Sequence, residues 1–208
     1  MANPRIAVIY DGTGNVRSVA KAFARIGYPP VVTADPNVVR EADAVILPGQ
    51  GAAGNLMNSL ASRNLKDILV RRISDDKPFF GVCLGLQLLL ERSEEDEAAC
   101  LGMIPGTVRR FGDALKVPHM GWNQVRITAQ HPVLTGVPDQ SHFYFVHSYY
   151  ADPADCSAVA GMTDYGVSFC SIIARGNLVA TQFHPEKSGD LGLRLYENFM
   201  RKIVLASG

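Results

Sequence analysis

The feature that most constrains the fold of this chain is the alternation, over its first half, of short apolar runs with amphipathic segments. Residues 5–10, 44–47 and 78–83 are short apolar runs that end at turn residues, whereas residues 16–24 and 65–73 place apolar side chains at helical spacing. Because a strand that is apolar on both faces must be covered on both faces, this pattern is typical of a parallel sheet between layers of helices. The first half therefore predicts an α/β fold.

The second half of the chain has a different pattern. After about residue 103, apolar stretches are separated by turns rather than by helical segments, until a final stretch with helical spacing. The expected strands are residues 107–111, 124–128, 142–146 and 167–173, and the expected closing helix is residues 191–205. We therefore expect an α/β fold with a mostly parallel central sheet flanked by helices and additional antiparallel strands in the second half. Since the 208 residues contain no repeat, low-complexity tract or linker, we expect one domain over residues 1–208.

Charge and cysteine content argue against several functional classes. Lys and Arg together number 20, as do Asp and Glu, so there is no net charge to attract nucleic acid or an anionic membrane. The N-terminal apolar run is too short for a signal peptide or a membrane span, and a cytoplasmic protein is expected. The cysteines, Cys83, Cys100, Cys156 and Cys170, form no Cys-x-x-Cys pair, which argues against a zinc site or a disulfide framework. We expect no metal and no cofactor.

A glycine-rich loop at residues 49–54 allows two interpretations. Its Gly-Gln-Gly-Ala-Ala-Gly sequence fits the Gly-x-Gly-x-x-Gly fingerprint of dinucleotide-binding proteins and lies between an apolar run and a helical segment. That fingerprint requires an acidic residue at the end of the next strand, about 20 residues on, and here those residues are helical. We therefore favour a loop whose glycines let the backbone approach another part of the protein closely.

The strongest candidate for a catalytic group is Cys83, in the sequence Gly-Val-Cys-Leu-Gly at residues 81–85. This is a cysteine version of the nucleophile elbow, a strained strand-to-helix turn whose flanking glycines let the central side chain project. The turn places the sulfur at the carboxyl end of the sheet and near a helix N-terminus, which favours the thiolate. It also leaves the backbone N–H of Leu84 free to donate to an oxyanion. The alternative is a buried structural cysteine, and the motif alone does not separate the two.

A candidate base for this cysteine is His184, in the sequence His-Pro-Glu at residues 184–186. Pro185 restricts His184 to an extended conformation, in which His184 and Glu186 can point the same way. An imidazole can then take the thiol proton and return one to a leaving amine, while the carboxylate orients the ring. The alternative is an ordinary exposed turn, and it is the combination with the elbow that favours catalysis.

Together these residues resemble the class I (triad) glutamine amidotransferases, and within that class the glutaminase subunits of imidazole glycerol phosphate synthase, from histidine biosynthesis. The similar segments extend over nearly the whole chain. They are residues 11–15, 47–51, 83–87, 91–93, 105–111, 118–123, 144–150 and 182–188. The Pro-His-Met-Gly-Trp-Asn block at residues 118–123 is the segment most particular to these subunits. The resemblance implies a class I glutamine amidotransferase fold, which is flavodoxin-like.

The resemblance implies that the chain hydrolyses L-glutamine to L-glutamate and ammonia. Cys83 would attack the side-chain amide to form a γ-glutamyl thioester, with His184 as general base and then acid, and Glu186 as its orienting partner. The implied oxyanion-hole residues, acting through backbone N–H groups, are Leu84 and either Gln50 or Gly51. The implied glutamine-binding residues are Gln87 and, through their backbone, Ser148 and Tyr149.

The resemblance also implies a partner. Ammonia would pass to a separate (β/α)₈-barrel cyclase subunit, in a heterodimer that makes imidazole glycerol phosphate and an aminoimidazole carboxamide ribotide, since 208 residues leave no room for a barrel of about 250. The implied docking residues are Asn15, Pro118, His119, Met120, Trp122, Asn123 and Lys187. Met120 and Trp122 would be an unfavourable exposed apolar pair without a partner, and the alternative is a satellite core cluster. We also expect the glycine-flanked peptide at Gln50 to reorient, so that the oxyanion hole is completed only when the partner is loaded.

Three other functions stay open from the sequence. A triad amidotransferase of another pathway, such as aminodeoxychorismate, anthranilate or pyridoxal phosphate synthesis, would share the triad, although residues 118–123 and the Arg-Arg-Phe sequence at 109–111 argue against it. A binding module that kept the fold but lost the chemistry is disfavoured by the intact Cys83, His184 and Glu186. A nicotinamide-binding protein would need nucleotide affinity that survives replacement of Cys83.

Overall fold

The first half of the chain alternates strands with helices. The computed structural model describes residues 4–10, 12 and 16–206. The strands are β1 (Ile6–Ile9), β2 (Val31–Thr33), β3 (Ala44–Gly49) and β4 (Phe79–Cys83). The helices are α1 (Val16–Arg25), α2 (Pro36–Glu41), α3 (Ala53–Ser62), α4 (Lys66–Ser74) and α5 (Leu84–Gln87). This is the alternation that the apolar runs and amphipathic segments predict.

The second half consists mainly of strands. They are β5 (Arg92–Ser93), β6 (Gly106–Arg110), β7 (His119–Ile127), β8 (Ser141–His147), β9 (Tyr149–Pro153), β10 (Val159–Asp164), β11 (Ser168–Arg175) and β12 (Leu178–Thr181). Short 3₁₀ turns lie at Pro132–Leu134, Cys156–Ala158 and Pro185–Lys187, and helix α6 (Gly189–Phe199) continues as a π-helical turn at Met200–Val204. None of the described helices is long and apolar enough to cross a membrane. The cytoplasmic location stays a prediction.

The described strands form one mixed sheet with the order β2-β1-β3-β4-β12-β11-β10-β7-β8, and β9 links β5 and β6 to β11. The strands from β2 to β12 pair in parallel, and those from β12 to β8 pair antiparallel. Parallel pairs need helical crossovers, whereas antiparallel pairs can be joined by tight turns, which is why helices are concentrated in the first half. The predicted α/β fold, with a parallel sheet flanked by helices and antiparallel strands added in the second half, is confirmed.

Each face of the parallel strands packs against a separate layer of helices. In β4, Phe79 contacts the core under α3 and α4, while its neighbour Phe80 contacts the core under α1 and α6. The Phe80 ring lies 5.1 Å from that of Tyr196, between ring centroids. Both phenylalanines are fully buried, and each such side chain contributes about 1.5–3 kcal/mol of hydrophobic stabilisation. This two-sided burial explains why the strand is apolar at every position.

The topology brings three distant segments to one edge of the sheet. Gly49 at the end of β3 pairs with Cys83 at the end of β4, and Val82 pairs with Thr181 at the end of β12. Because these strands are parallel, their carboxyl ends lie side by side. Ligands of open α/β sheets bind at this edge.

Candidate active site

The backbone at Cys83 is strained. Its φ of 56° and ψ of −106° lie in a region that non-glycine residues rarely adopt, at the junction between β4 and α5. A residue in such a conformation costs about 1–3 kcal/mol and persists only where its surroundings fix it. This is the strand-to-helix turn that the Gly-x-Cys-x-Gly sequence predicts.

The two glycines of the elbow are required because there is no room for a side chain at either position, and not because the backbone must be flexible there. A Cβ atom added to Gly81 would lie 2.6 Å from the carbonyl oxygen of Gly85, and one added to Gly85 would overlap the carbonyl oxygen of Leu47. The turn therefore packs its backbone directly against itself and against β3. Any larger residue at either position would displace Cys83.

His184 and Glu186 form a buried pair beside the sulfur. Thr181 ends β12, and His184 follows in an extended conformation with φ −99° and ψ 99°. Its Nδ1 lies 2.8 Å from Oε1 of Glu186, and the two side chains are only 5% and 4% exposed. The Tyr196 hydroxyl donates to the other carboxylate oxygen of Glu186 at 3.2 Å. Because Nδ1 of His184 is hydrogen-bonded to Glu186, Nε2 is the ring nitrogen that can interact with Cys83.

The proton on His184 is strongly held. Burial alone lowers the pKa of His184, but hydrogen bonds and charge interactions with Cys83 and Glu186 outweigh it and raise that pKa to about 10. At neutral pH the ring is therefore an imidazolium placed between a carboxylate and the cysteine. A cation in this position favours the thiolate, which is the nucleophilic form of cysteine.

The cysteine faces a cavity of about 350 Å³. This volume is at the lower end of the roughly 300–1,000 Å³ typical of small-molecule pockets. The predicted residues that line it are Gln50, Gly51, Cys83, Leu84, Gln87, Ser148, Tyr149 and His184. Glu186 lies behind His184. The structure thus brings together all the residues predicted for catalysis, oxyanion binding and glutamine binding.

The glycine-rich loop forms one wall of this cavity. A Cβ atom added to Gly49 would lie 2.8 Å from Cβ of Leu84, so only a glycine lets the loop pack against the elbow. Gly51 has φ +79°, a conformation that favours glycine, and Gln50 is exposed at the rim. The first N–H groups of a helix, such as that of Leu84, have no partner within the helix. The glycine-rich loop therefore packs closely against the elbow, as the close-approach interpretation predicts.

Gln87 is engaged within the protein. Its amide nitrogen donates to the carbonyl of Tyr149 at 2.8 Å and to Oε1 of Gln182 at 3.1 Å. Both of its N–H groups are thereby used, and the side chain is 4% exposed. Gln87 therefore fixes the wall of the pocket, and only its amide oxygen is left for a bound molecule.

Gln182 is a site residue that the sequence analysis did not identify. It is fully buried and its amide nitrogen lies 3.5 Å from Sγ of Cys83. Its only sequence signal is its position two residues before His184, on the extension of β12. A donor at this distance stabilises negative charge on the sulfur.

Glu95 is a second missed residue. It lines the cavity, and its Oε2 accepts a hydrogen bond from the backbone N–H of Ala53 at 2.9 Å. Burial raises the pKa of its carboxyl group, and the hydrogen bond from Ala53 opposes that shift. In the sequence it lies within the acidic run 94–97, which has the composition of a solvated turn. Glu95 is thus an acidic residue of the cavity lining that is hydrogen-bonded to the start of α3.

The predicted docking residues of β7 divide into two groups, one on each face of the strand. Met120 and Trp122 are 61% and 57% exposed and point out from the sheet. Pro118 and Lys187 are also exposed. The Trp122 ring lies 6.1 Å from that of Tyr144, between centroids, and Nζ of Lys187 lies 5.9 Å from the Tyr144 centroid. These residues form one surface, which we call the aromatic patch (Met120, Trp122, Tyr144 and Lys187), and Lys187 also lines the catalytic cavity.

His119 and the half-buried Asn123 lie on the other face of β7 and do not belong to this surface, so their docking role stays a prediction. His119 is 4% exposed, and its Nδ1 lies 3.0 Å from Nε2 of His147. The amide nitrogen of Asn123 contacts Nε2 of His119 at 3.2 Å and donates to the carbonyl of Asp164 at 3.0 Å. The reason is the two-residue period of a strand, which turns positions 119 and 123 inward where 120 and 122 point outward. Asn15 lies outside the described residues.

The described part of the chain contains no group of three or more His, Cys, Asp or Glu side chains that could hold a metal ion. The four cysteines are unpaired; Cys83, Cys100 and Cys170 are buried and Cys156 is exposed. Burial raises the pKa of Cys100 to about 11 and that of Cys170 to about 12. These two thiols are therefore protonated at neutral pH.

Comparison with solved structures agrees with this fold. A chain described as PurLQS from Thermotoga maritima superposes with a TM-score of 0.75 at 16% identity, covering 97% of this chain and 99% of that one. A structure described as a glutamine amidotransferase gives a TM-score of 0.73 at 18% identity, covering 93% and 96%. At these identities the likeness concerns the fold alone.

Comparison with known sequences is more specific. The family model for class-I glutamine amidotransferases matches residues 7–203. A protein named imidazole glycerol phosphate synthase subunit HisH from Dehalococcoides mccartyi (strain CBDB1) is 46% identical over 197 residues, covering 94% of this chain and 96% of the relative. A protein of the same name from Nitrosococcus oceani is 50% identical over 201 residues, covering 94% and 96%. With this match over nearly its whole length and a cysteine, histidine and glutamate assembled at its elbow, the chain belongs to the class-I glutamine amidotransferase family.

Proposed function

We propose that this chain is the glutaminase subunit of an imidazole glycerol phosphate synthase, which hydrolyses L-glutamine and delivers the ammonia to a cyclase subunit. The observation that carries the proposal is the placement of Cys83 on a strained elbow, facing a cavity and beside the buried His184–Glu186 pair. The names of the relatives supply the pathway, histidine biosynthesis.

The first half of the reaction forms a thioester. Sγ of Cys83 attacks the side-chain carbonyl carbon of glutamine, and the carbonyl oxygen becomes an oxyanion that accepts from the N–H of Leu84 and from that of Gln50 or Gly51. His184 then gives the proton on Nε2 to the amide nitrogen as the carbon–nitrogen bond breaks. Ammonia leaves, and the γ-glutamyl group stays on the sulfur.

The second half regenerates the enzyme. Water attacks the thioester carbon, and His184 takes a proton from it while the same N–H groups stabilise the second oxyanion. The carbon–sulfur bond breaks, glutamate leaves, and the imidazolium–thiolate pair is restored. Glu186 holds the ring in one orientation, which is the role of the third member of a triad.

Substrate recognition follows from the charges of the cavity. Glutamine carries an α-ammonium and an α-carboxylate at the end opposite its reactive amide. Glu95 is the acidic side chain among the described residues that line the cavity, and we assign it to the α-ammonium. Ser148 and Tyr149 also line the cavity, and the carbonyl of Ser148 accepts from the backbone N–H of Phe111 at 3.1 Å, while that of Tyr149 accepts from Gln87. The segment is therefore fixed before substrate binds.

The aromatic patch is the surface we assign to the cyclase. It joins two large exposed apolar side chains to a cation, and Lys187 connects it to the mouth of the catalytic cavity. Aromatic residues and methionine are enriched at the centres of protein interfaces, where they contribute most of the binding energy. A (β/α)₈-barrel partner seated here would receive ammonia close to where it forms. We propose a heterodimer with that barrel.

The deciding experiment measures glutamate release from glutamine by the purified chain, alone and with a barrel cyclase subunit and its ribotide ligand. The expected result is turnover that rises when partner and ligand are added and is abolished by Cys83→Ala. Cys156→Ala is the matched control and should keep full activity, because Cys156 is exposed and is not one of the residues that line the cavity.

Other results would change the proposal. Turnover that needs Cys83 but does not respond to this cyclase would assign the chain to a different amidotransferase pathway. Absence of turnover in every mixture, together with failure of a thiol-reactive glutamine analogue to label Cys83, would make the chain a binding module. Equal turnover with and without the loaded partner would refute the predicted reorientation of the peptide at Gln50.

A further inference from the structure

A series of hydrogen-bonded side chains, joined at one point by the backbone carbonyl of Tyr149, connects strand β7 to the catalytic sulfur. Its members are Asn123, His119, His147, Gln87 and Gln182. Apart from Asn123, each of them is 6% exposed or less. The reaction described above assigns no step to either histidine. Burying polar groups is unfavourable unless they are paired, so we expect these buried and paired groups to have a function.

The hydrogen bonds fix the tautomer of both histidines. Nδ1 of His147 lies 2.8 Å from the carbonyl oxygen of Tyr149, which can only accept, so this nitrogen carries the proton. Burial lowers the pKa of His147 to about 3, and the ring is therefore neutral with a bare Nε2. That nitrogen accepts from Nδ1 of His119, whose pKa burial lowers to about 4. Nε2 of His119 is then bare and accepts from the amide of Asn123.

The carbonyl oxygen of Tyr149 is where this series meets the catalytic site. It accepts from His147 on one side and from the amide nitrogen of Gln87 on the other. Gln87 also donates to the amide oxygen of Gln182, and the amide nitrogen of Gln182 faces Sγ of Cys83 at 3.5 Å. Both lone pairs of this carbonyl are thus used, so its position depends on both donors.

The outer end of the series belongs to the same strand as the aromatic patch. In β7 the inward residues His119 and Asn123 alternate with the outward residues Met120 and Trp122. His119 also pairs with His147 through the backbone of β7 and β8. A partner that shifts β7 therefore moves His119 relative to the Tyr149 carbonyl, because neighbouring residues of one strand cannot move independently.

We propose that His119 and His147 are positioning residues, which hold the Tyr149 carbonyl and, through Gln87 and Gln182, set the sulfur of Cys83 according to the state of the partner-facing strand. The glutamine and partner aspects of this inference rest on the proposed function. The chemistry required of each histidine is one N–H donor and one bare nitrogen acceptor. A side chain that fills the same space without these groups breaks the series while keeping the packing.

The test compares His119→Phe with His119→Gln. The His119 ring stacks on Phe145 and Tyr165, at centroid distances of 5.0 and 4.0 Å, so a phenylalanine fits the site but can neither donate nor accept. A glutamine amide can do both. We expect His119→Phe to lower kcat per titrated active site about tenfold, with a smaller response to the partner, and His119→Gln to recover to within about threefold of wild type. His142→Phe, an exposed histidine of β8, is the control and should match wild type.

Alkylation of Cys83 gives a second measurement that needs no glutamine. Iodoacetamide labelling at pH 7.5, followed by intact mass, should be at least about threefold slower in His119→Phe than in wild type, because Gln182 is no longer held against the sulfur. If that variant has a normal kcat per titrated site and normal alkylation, the inference is overturned. A lower yield of folded protein would not rescue it, because kcat is expressed per titrated site. Equal defects in the Phe and Gln variants would also overturn it. A wild-type protein that alkylates normally but hydrolyses no glutamine would refute the proposed function instead.

Discussion

Replacing Glu186 with glutamine tests how much of the chemistry depends on the carboxylate behind His184. The contact is 2.8 Å long and both side chains are 5% exposed or less, so water does not screen it. A buried hydrogen bond to a charged group is worth about 1.5–3 kcal/mol, and each 1.36 kcal/mol corresponds to a factor of about ten in rate. We therefore expect Glu186→Gln to lower kcat for glutamine hydrolysis by about 10- to 150-fold.

The orientation of the new amide decides where in this range the variant falls. If its oxygen keeps the hydrogen bond from the Tyr196 hydroxyl, now 3.2 Å from Oε2, the NH₂ group faces Nδ1 of His184. Nδ1 must then be bare and the proton moves to Nε2, which leaves no acceptor for a proton from the thiol or from water. Because Tyr196 is fully buried and has no other acceptor at this contact, we expect the larger loss, near 100-fold.

The assay is glutamate release coupled to glutamate dehydrogenase, with active sites counted by a thiol-reactive glutamine analogue. KM should stay within about twofold, since Glu186 does not line the cavity. Glu197→Gln, a half-buried residue next to Tyr196 on α6, is the matched control. A Glu186→Gln variant that keeps more than a third of wild-type kcat would refute the orienting role, and one that raises KM with unchanged kcat would make Glu186 a substrate-binding residue.

Three further predictions concern the substrate, the pH dependence of stability and the partner. Glu95→Gln keeps the hydrogen bond from Ala53 but loses the negative charge. In steady-state kinetics, KM for glutamine should therefore rise about tenfold while kcat stays within about twofold of wild type. The control Glu97→Gln, at an exposed position, should change neither constant. Because the pKa of His147 is lowered to about 3, the unfolded state binds more protons below pH 6.5, and stability must fall as pH decreases from 6.5. At pH 5 this group alone should cost about 2 kcal/mol in the free energy of unfolding by urea titration, and a pH-independent free energy would contradict the buried neutral ring. Trp122→Ala should weaken cyclase binding about 30-fold in titration calorimetry with little change in Tm, whereas Val31→Ala, equally exposed on β2, should not weaken it.

The catalytic centre could be predicted because its signals are local. The two glycines around Cys83 are required by contacts within and beside the elbow, and the proline after His184 restricts a single backbone angle. Each of these effects acts over a few residues and leaves a fixed spacing in the sequence. The alternation along β7 was an available signal of the same kind, since Met120 and Trp122 on one face place His119 on the other.

Glu95 and Gln182 could not be found in this way. The amide of Gln182 and the sulfur of Cys83 are 99 residues apart in the chain, and Gln87 and Gln182 are 95 apart. Their contact depends on β12 pairing with β4 in parallel, with Thr181 beside Val82. A glutamine or glutamate in the sequence has no spacing that reveals such a partner.

The sequence by itself determined the alternation of strands and helices in the first half, that the sheet there is covered on both faces, and that a strained cysteine follows one of its strands, whereas in the second half it missed strands such as β9 and β10. These properties come from apolar periodicity and from the backbone limits of glycine and proline, which act locally. The tertiary structure alone decided that the Tyr149 carbonyl accepts from both His147 and Gln87, that Glu95 reaches the cavity, and that the amide of Gln182 faces the sulfur of Cys83. Hydrogen bonds between distant residues depend on strand order and register, and no local preference in the chain specifies those.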